Sequence, residues 1–311
     1  MRTLTYTVAP QDDGRAVRSV VPRRFALGAH LFRRLKVQGG VLVNGEAARA
    51  SRVLHTGDVV TLLLPDESPE GAQAKASPAP PAALHAEDEP SPAPLSAIRY
   101  ADEDLLIVAK AAPLPTLPGA HIAGETLREQ LACLLGVSPA DFAYRPVNRL
   151  DKGTSGLLAV ARHAHAQRLL SAQLHTPDFV REYLAVVEGV PEPVEGVIDA
   201  PILRPGAGVI RVVDARGQQA VTHYRVERMC GGRSLVRLRL QTGRTHQIRV
   251  HMAHIGCPIV GDYLYGTPSP ALPGRFALHS AHLSCRQPIT GARIEVSEPL
   301  PPELAALLGE D

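Results

Sequence analysis

Cysteine is scarce: the four in 311 residues, Cys133, Cys230, Cys257 and Cys285, lie far apart and form no Cys-x-x-Cys pair. That sparsity argues against a disulfide framework and a cysteine-ligated zinc, and leaves buried free thiols as the simplest account. No apolar run approaches the ~20 residues a membrane helix needs. The opening Met1-Arg2-Thr3-Leu4-Thr5-Tyr6 has no apolar signal region, so a cytoplasmic protein is expected. Net charge is low as well, at +2. One histidine group, His246, His251 and His254, invites a metal assignment. The first two are five residues apart, which puts them on different helical faces, and no acidic ligand adjoins them. Neither a metal nor a cofactor is expected.

The small net charge hides an uneven distribution. Residues 1–65 carry ten Lys/Arg against four Asp/Glu, residues 66–97 one against six, and the remainder 22 against 21. A compact basic unit at the N-terminus points to a polyanion such as nucleic acid. Residues 66–97 hold seven prolines and nine alanines in 32 positions. Such a stretch buries too little apolar surface to fold, so it reads as an acidic, extended linker that few contacts cross. The expected division is therefore a small basic domain over 1–65, a linker over 66–97 and a larger domain over 98–311.

Within the basic unit, Leu27, Leu31, Phe32 and Leu35 recur at helical spacing along Phe25 to Lys36, while Arg33, Arg34 and Lys36 point elsewhere. Val41-Leu42-Val43 then runs into Asn44-Gly45, a hairpin signal, and Val59 to Leu64 reads as a strand. Beyond Ala97 the segments are strand-like and punctuated by turns. Leu105–Lys110, Leu157–Ala161, Tyr183–Val187 and the alternating Leu235–Leu240 are strand candidates; Thr126–Leu135 and Ala164–Leu174 read as helices. This irregular mixture suggests an α+β fold with a mixed, largely antiparallel sheet.

Two strings carry chemistry. The first, Asn148-Arg149-Leu150-Asp151-Lys152-Gly153-Thr154-Ser155-Gly156, sets a carboxylate in a tight loop between apolar segments. Taken alone it would be an ordinary surface turn. The second, about a hundred residues on, runs from Thr242-Gly243-Arg244-Thr245-His246-Gln247-Ile248-Arg249-Val250-His251 to Gly261-Asp262. Thr245 to Ile255 has helical character and stops at Gly256 and Pro258, with His246, Arg249 and Val250 expected on one face. Arg239, Arg244 and Arg249 bring guanidinium groups to one region. The bland reading is a solvated cationic helix. The sharper one pairs Arg249 with a carboxylate while its neighbours hold phosphates.

Together these strings resemble the motifs of the RluA/RluD-type pseudouridine synthases, as does a third, Arg181-Glu182-Tyr183-Leu184-Ala185-Val186-Val187-Glu188-Gly189. The resemblance runs from roughly Ile98 to Leu300 and departs from the family at Asn148, where the family has histidine. It implies a sheet crossed by a central cleft and isomerisation of uridine to pseudouridine in RNA, without a cofactor. It implies that Asp151 is the catalytic carboxylate, that Arg249 is its cation, and that Tyr183 stacks on the uracil and takes the proton from its C5. It implies that Arg149 fills the gap left by the extruded base, with Arg244 and His246 on RNA. In every version the carboxylate must be ionised, and a neighbouring guanidinium favours that. Residues 14–65 similarly resemble the alpha-L RNA-binding module of a small-ribosomal-subunit protein, a small α/β unit in which Arg33, Arg34 and Lys36 would contact RNA.

The expected partner is ribosomal RNA of the large subunit, with transfer RNA as the alternative, and the protein is expected to act as a monomer away from membranes. Two other classes compete. A ribosome-associated RNA-binding protein that has lost catalysis is hinted at only by Asn148. A hydrolase using Ser155 fails because Leu157 stands where a nucleophile elbow needs glycine.

Overall fold

The computed structural model describes residues 2–65, 95–119 and 124–309. The first unit contains β1 (Arg2–Thr7), α1 (Val17–Arg24), α2 (Ala29–Val37), β2 (Val41–Val43), β3 (Glu46–Ala47) and β4 (Val59–Leu64), with sheet order β1-β4-β2-β3. The Asn44-Gly45 turn joins β2 to β3, and both residues have positive φ, at 54° and 84°, as a tight hairpin requires. The helical pattern expected over Phe25 to Lys36 is broken. Ala26 has φ 46°, so Phe25 caps α1, Leu27 lies in the connection, and α2 begins only at Ala29. All four apolar positions still pack on this unit's core, beside Val17, Val20, Val21, Val60 and Leu62.

The larger unit continues with β5 (Ala97–Ala101), β6 (Leu105–Lys110), α3 (Leu127–Leu134), β7 (Arg145–Pro146), β8 (Ser155–Ala161), α4 (Ala164–Gln173), β9 (Val180–Glu188) and β10 (Glu195–Asp199). It ends with β11 (Ile202–Leu203), β12 (Val212–Val213), β13 (Val221–Cys230), β14 (Arg233–Leu240), α5 (Gln247–His254), β15 (Leu278–Arg286), β16 (Arg293–Ser297) and α6 (Pro302–Ala305). One long sheet runs β10-β13-β14-β9-β15-β8-β6-β5, with β16 beside β15 and β7 beside β8. Every pairing is antiparallel except β15 with β8. This is the mixed, largely antiparallel α+β architecture that the sequence suggests. β6 and β8 are buried along their whole length because both faces are covered. On β6, Leu106 and Val108 join α3 residues Leu127 and Leu131 in one cluster, while Leu105 and Ile107 join α4 residues Ala166 and Leu170 in another, the period of two expected of a strand.

Most of the linker, residues 66–94, lies outside the described residues. Its expected end at residue 97 is too late. Ser96 is buried, donates its backbone N–H to Gln130 Oε1 and accepts from the Ala111 N–H, and Ala97 already belongs to β5. The expectation of few contacts between the units also needs correction. Arg2 forms a two-pronged pair with Asp104 at 3.0 and 3.1 Å, and Ile289 packs against the core of the first unit. Asp104 is wholly buried and also meets His163 Nε2 at 2.9 Å and Gln287 Nε2 at 2.6 Å.

Burial would raise the Asp104 carboxyl, but hydrogen bonds from His163, Arg2 and Gln287 outweigh it and hold the group at about 2, below its ordinary 3.8. A depressed carboxyl stabilises the fold fully above its ordinary value, and that contribution fades as pH falls through 3.8 towards 2. Acid is therefore expected to loosen the junction, and Arg2→Ala should lose less stability between pH 5 and 2 than wild type because its Asp104 is less depressed. Denaturant unfolding across that range checks this. Equal acid sensitivity in the two proteins would mean that the pair does not form.

Candidate active site

The loop between β7 and β8 presents Asp151, and several contacts fix its shape. Thr116 Oγ1 donates to the Leu150 carbonyl at 2.6 Å and accepts from the Leu150 N–H at 3.2 Å. Leu114 N–H donates to the Lys152 carbonyl, and buried Lys110 Nζ donates to the carbonyls of Ala111, Leu114 and Lys152. Burial lowers Lys110 to about 7, opposed by the charge of Asp151. Gly153 has to be glycine, since a Cβ there would lie 2.7 Å from the Phe276 ring. Asn148 orders the loop without titrating: its Oδ1 accepts from the Ala159 N–H at 3.0 Å, while its buried NH2 finds no acceptor among the described residues.

Arg249 Nη1 reaches Asp151 Oδ2 at 3.1 Å. The rest of its fork is taken by a second carboxylate: Nε and Nη2 donate to Asp262 at 2.7 and 2.8 Å. Asp262 is fully buried and also accepts the N–H groups of Leu264 and Tyr265. The guanidinium carbon lies 4.2 Å from the Phe276 ring centre and 5.1 Å from that of Tyr265. Hydrogen bonds in its plane and rings around it leave Arg249 one geometry. The Asp151 side chain keeps 30% of its surface open, against 2% for Arg249 and none for Asp262, so only the Asp151 carboxylate is accessible.

Tyr183 is buried on β9. Burial raises its phenol, with nearby Arg181 opposing and Asp151 adding, so the hydroxyl is protonated near neutrality. Arg181 is itself buried, its Nε lacks an acceptor among the described residues, and its guanidinium lies under Gly243. His246 does not share a helical face with Arg249 and Val250 as expected. It is the left-handed residue before α5, with φ 59° and ψ 19°. That turn still aims it at the site, 3.9 Å from Asp151 Oδ2, while Val250 packs with Ile202 and Ala220 elsewhere.

Arg149 is exposed on the Asp151 loop. Arg244 is exposed and donates from Nε to the Gln219 carbonyl. On α2, Arg33 and Lys36 are exposed, Lys36 lying 5.1 Å over the Phe32 ring, and Arg34 is half-buried, about a hundred residues in sequence from the Asp151 loop. His251 is buried between Thr222 Oγ1 and the Ala200 carbonyl, and His254 is exposed, so the three histidines do not converge. Among the described residues no group of three His, Cys, Asp or Glu could hold a metal ion, and no helix is long and apolar enough to cross a membrane. Ser155 does meet His279 Nδ1 at 2.9 Å, but both are buried and Ser155 also accepts from Arg275.

Sequence reading missed Asp262, Lys110 and Tyr265. Asp262 closes the second string after Gly261, a position that reads as a turn. Lys110 ends an apolar run, and a charge at the end of a buried strand was the available signal.

Residues 104–254 match the family model described as RNA pseudouridylate synthase. The chain is 35% identical to the uncharacterized RNA pseudouridine synthase YjbO of Bacillus subtilis (strain 168), over 91% of this chain and 94% of that one. It is 42% identical to ribosomal large subunit pseudouridine synthase D of Pseudomonas aeruginosa, over 68% and 70%. Among solved structures, human RNA pseudouridylate synthase domain containing 1 aligns with a TM-score of 0.56 and 26% identity, over 68% of this chain and 86% of that one. These likenesses define an isomerase that converts uridine to pseudouridine in RNA. The chain belongs to the RNA pseudouridylate synthase family.

Proposed function

We propose that the protein isomerises particular uridines of large-subunit ribosomal RNA, with Asp151, Tyr183 and Arg249 as its catalytic residues. The observation that carries the roles is the half-open Asp151 carboxylate on a guanidinium locked from behind by Asp262. The substrate class is supported by relatives named ribosomal large subunit pseudouridine synthase D at 38% and 42% identity, and by the basic N-terminal unit. The reading includes a monomer acting in the cytoplasm. In the reaction the base leaves the sugar with the electron pair of the N1–C1′ bond, turns, and rejoins C1′ through C5; a proton leaves C5 and one is gained at N1. Asp151, paired with Arg249, meets the developing positive charge at the sugar or bonds to it.

The target uridine has to leave its stack, at a cost of about a few kcal/mol. Arg149, exposed two residues before Asp151, is placed to fill the gap, since a guanidinium plane stacks on bases. Arg244 on the α5 approach, and Arg33, Arg34 and Lys36 on α2, hold the phosphate backbone. Mapping pseudouridine across total RNA of a deletion strain tests the substrate: loss at ribosomal positions is expected, and loss only in transfer RNA would replace that assignment. Tyr183→Phe keeps the ring and removes the hydroxyl, which rests protonated and can take the C5 proton only as it gives up its own; the change is expected to slow product formation about 10²–10⁴-fold, the range for losing a proton-transfer group. Single-turnover assays check this; an unchanged rate would leave Tyr183 a stacking role alone.

A further inference from the structure

His246 holds a left-handed backbone conformation that is strained for a residue with a side chain, and such strain concentrates where a side chain has to be aimed. Its imidazole lies between two fixed points. Nδ1 is 2.8 Å from Tyr265 Oη, and the same Oη accepts the Arg211 backbone N–H at 2.9 Å. The Tyr265 ring also packs against the imidazole at 5.6 Å between centres. With one acceptor position of Tyr265 filled by Arg211, the arrangement that satisfies every group has the phenol donating to Nδ1. Burial raises the Tyr265 phenol, which keeps that proton on oxygen. A neutral His246 then carries its hydrogen on Nε2.

Nε2 faces Asp151 Oδ2 at 3.9 Å, too far for a hydrogen bond, and has no other partner among the described residues. The side chain is 13% exposed, against 30% for Asp151. The groups facing it are Asp151, Asp262, Arg249 and Arg211. Burial lowers the imidazole below its ordinary 6.5, the charge of Asp151 opposes, and Arg249 and Arg211 add to the lowering. The side chain is thus a neutral, oriented N–H donor beside the reacting carboxylate.

We propose that His246 is a further catalytic residue, whose Nε2–H, set by Tyr265, donates a hydrogen bond to a carbonyl oxygen of the uracil while the base is detached. This rests on the isomerase reading above. When the N1–C1′ bond breaks, its pair stays on the base, and the negative charge spreads over N1, the carbonyl oxygens and C5. A donor placed there before the reaction stabilises that charge without reorganising. Neutrality matters, because an imidazolium would hand over its proton and quench the nucleophilic C5. Neutral imidazole N–H is a poor acid, so no proton changes hands. Tyr265 acts through His246 and is a positioning residue.

The test uses the full chain and total RNA, tritiated at uridine C5, from a strain lacking the protein. Tritium release is followed under single-turnover conditions for wild type, Asp151→Asn, His246→Ala and His246→Gln, with thermal unfolding of each. Loss of one preorganised donor predicts a fall of about 10²–10³-fold in His246→Ala. Gln places an amide N–H near the Nε2 position but cannot titrate, so it is expected to recover at least tenfold of that loss. A loss below tenfold in His246→Ala, or a Gln variant no better than Ala, overturns the proposal. Nitrogen-15 NMR of labelled histidine in the free protein reads the tautomer independently of activity: the Nε2–H form is expected, and the Nδ1–H form or an imidazolium at pH 7 overturns it. A wild type that releases no tritium would remove the isomerase reading and the proposal together. An active wild type with an active His246→Ala removes the proposal alone.

Discussion

Asp151→Asn is expected to lower turnover at saturating RNA by about 10⁴-fold or more, the scale seen when a group at the centre of a catalytic unit is lost. The substitution is isosteric and removes only charge. Its effect on stability should be small, because Arg249 keeps its two hydrogen bonds to Asp262 and is not left as an unpaired buried cation. The amide oxygen can still face Arg249 Nη1. A melting temperature near wild type, RNA binding within a few-fold and no product would agree with this. Turnover within tenfold of wild type would remove Asp151 from the chemistry.

Arg249→Met is expected to fail twice. Asp151 loses the guanidinium that it meets at 3.1 Å. Asp262, fully buried, loses both charged donors and among the described residues keeps only the backbone N–H groups of Leu264 and Tyr265. Breaking a buried pair by removing one member costs about 3–5 kcal/mol. At roughly 2–4 °C per kcal/mol for a domain of this size, melting should fall by about 6–20 °C. The two effects separate in Arg249→Met/Asp262→Asn, which removes the orphaned charge. That double variant should regain much of the stability and none of the activity. Thermal unfolding and single-turnover assays check both. An Arg249→Met protein as stable and as active as wild type would dissolve the carboxylate–guanidinium–carboxylate arrangement.

The legible parts of this chain were those whose signal is local. Leu105–Lys110 is a strand at the positions its apolar run marks, and the Asn44-Gly45 hairpin and the start of α3 beside Thr126 follow from turn and capping chemistry. Asp151 and Arg249 were found because each lies in a dense string. Their meeting is a property of the fold, which returns α5 to the β7–β8 loop. What escaped was nonlocal or conformational. Asp262 binds Arg249 from thirteen residues away, and only because the chain doubles back after α5. Arg2 and Asp104, 102 residues apart, join two units whose individual patterns say nothing of each other. The break at Ala26 came from a positive φ that alanine does not advertise. His246 was assigned to the helix because its neighbours have helical spacing, whereas its left-handed conformation turns it towards Asp151 instead. The N-terminal strand carries little local signal because, of its residues, only Leu4 is buried.

The central claim is that Asp151 of this chain makes pseudouridine in RNA. Total RNA from a deletion strain, treated with purified protein and digested to nucleosides, can be quantified for pseudouridine by chromatography with mass detection. Wild-type protein is expected to restore pseudouridine at one or a few positions and Asp151→Asn protein at none. Equal restoration by both, or none by wild type, would contradict the assignment.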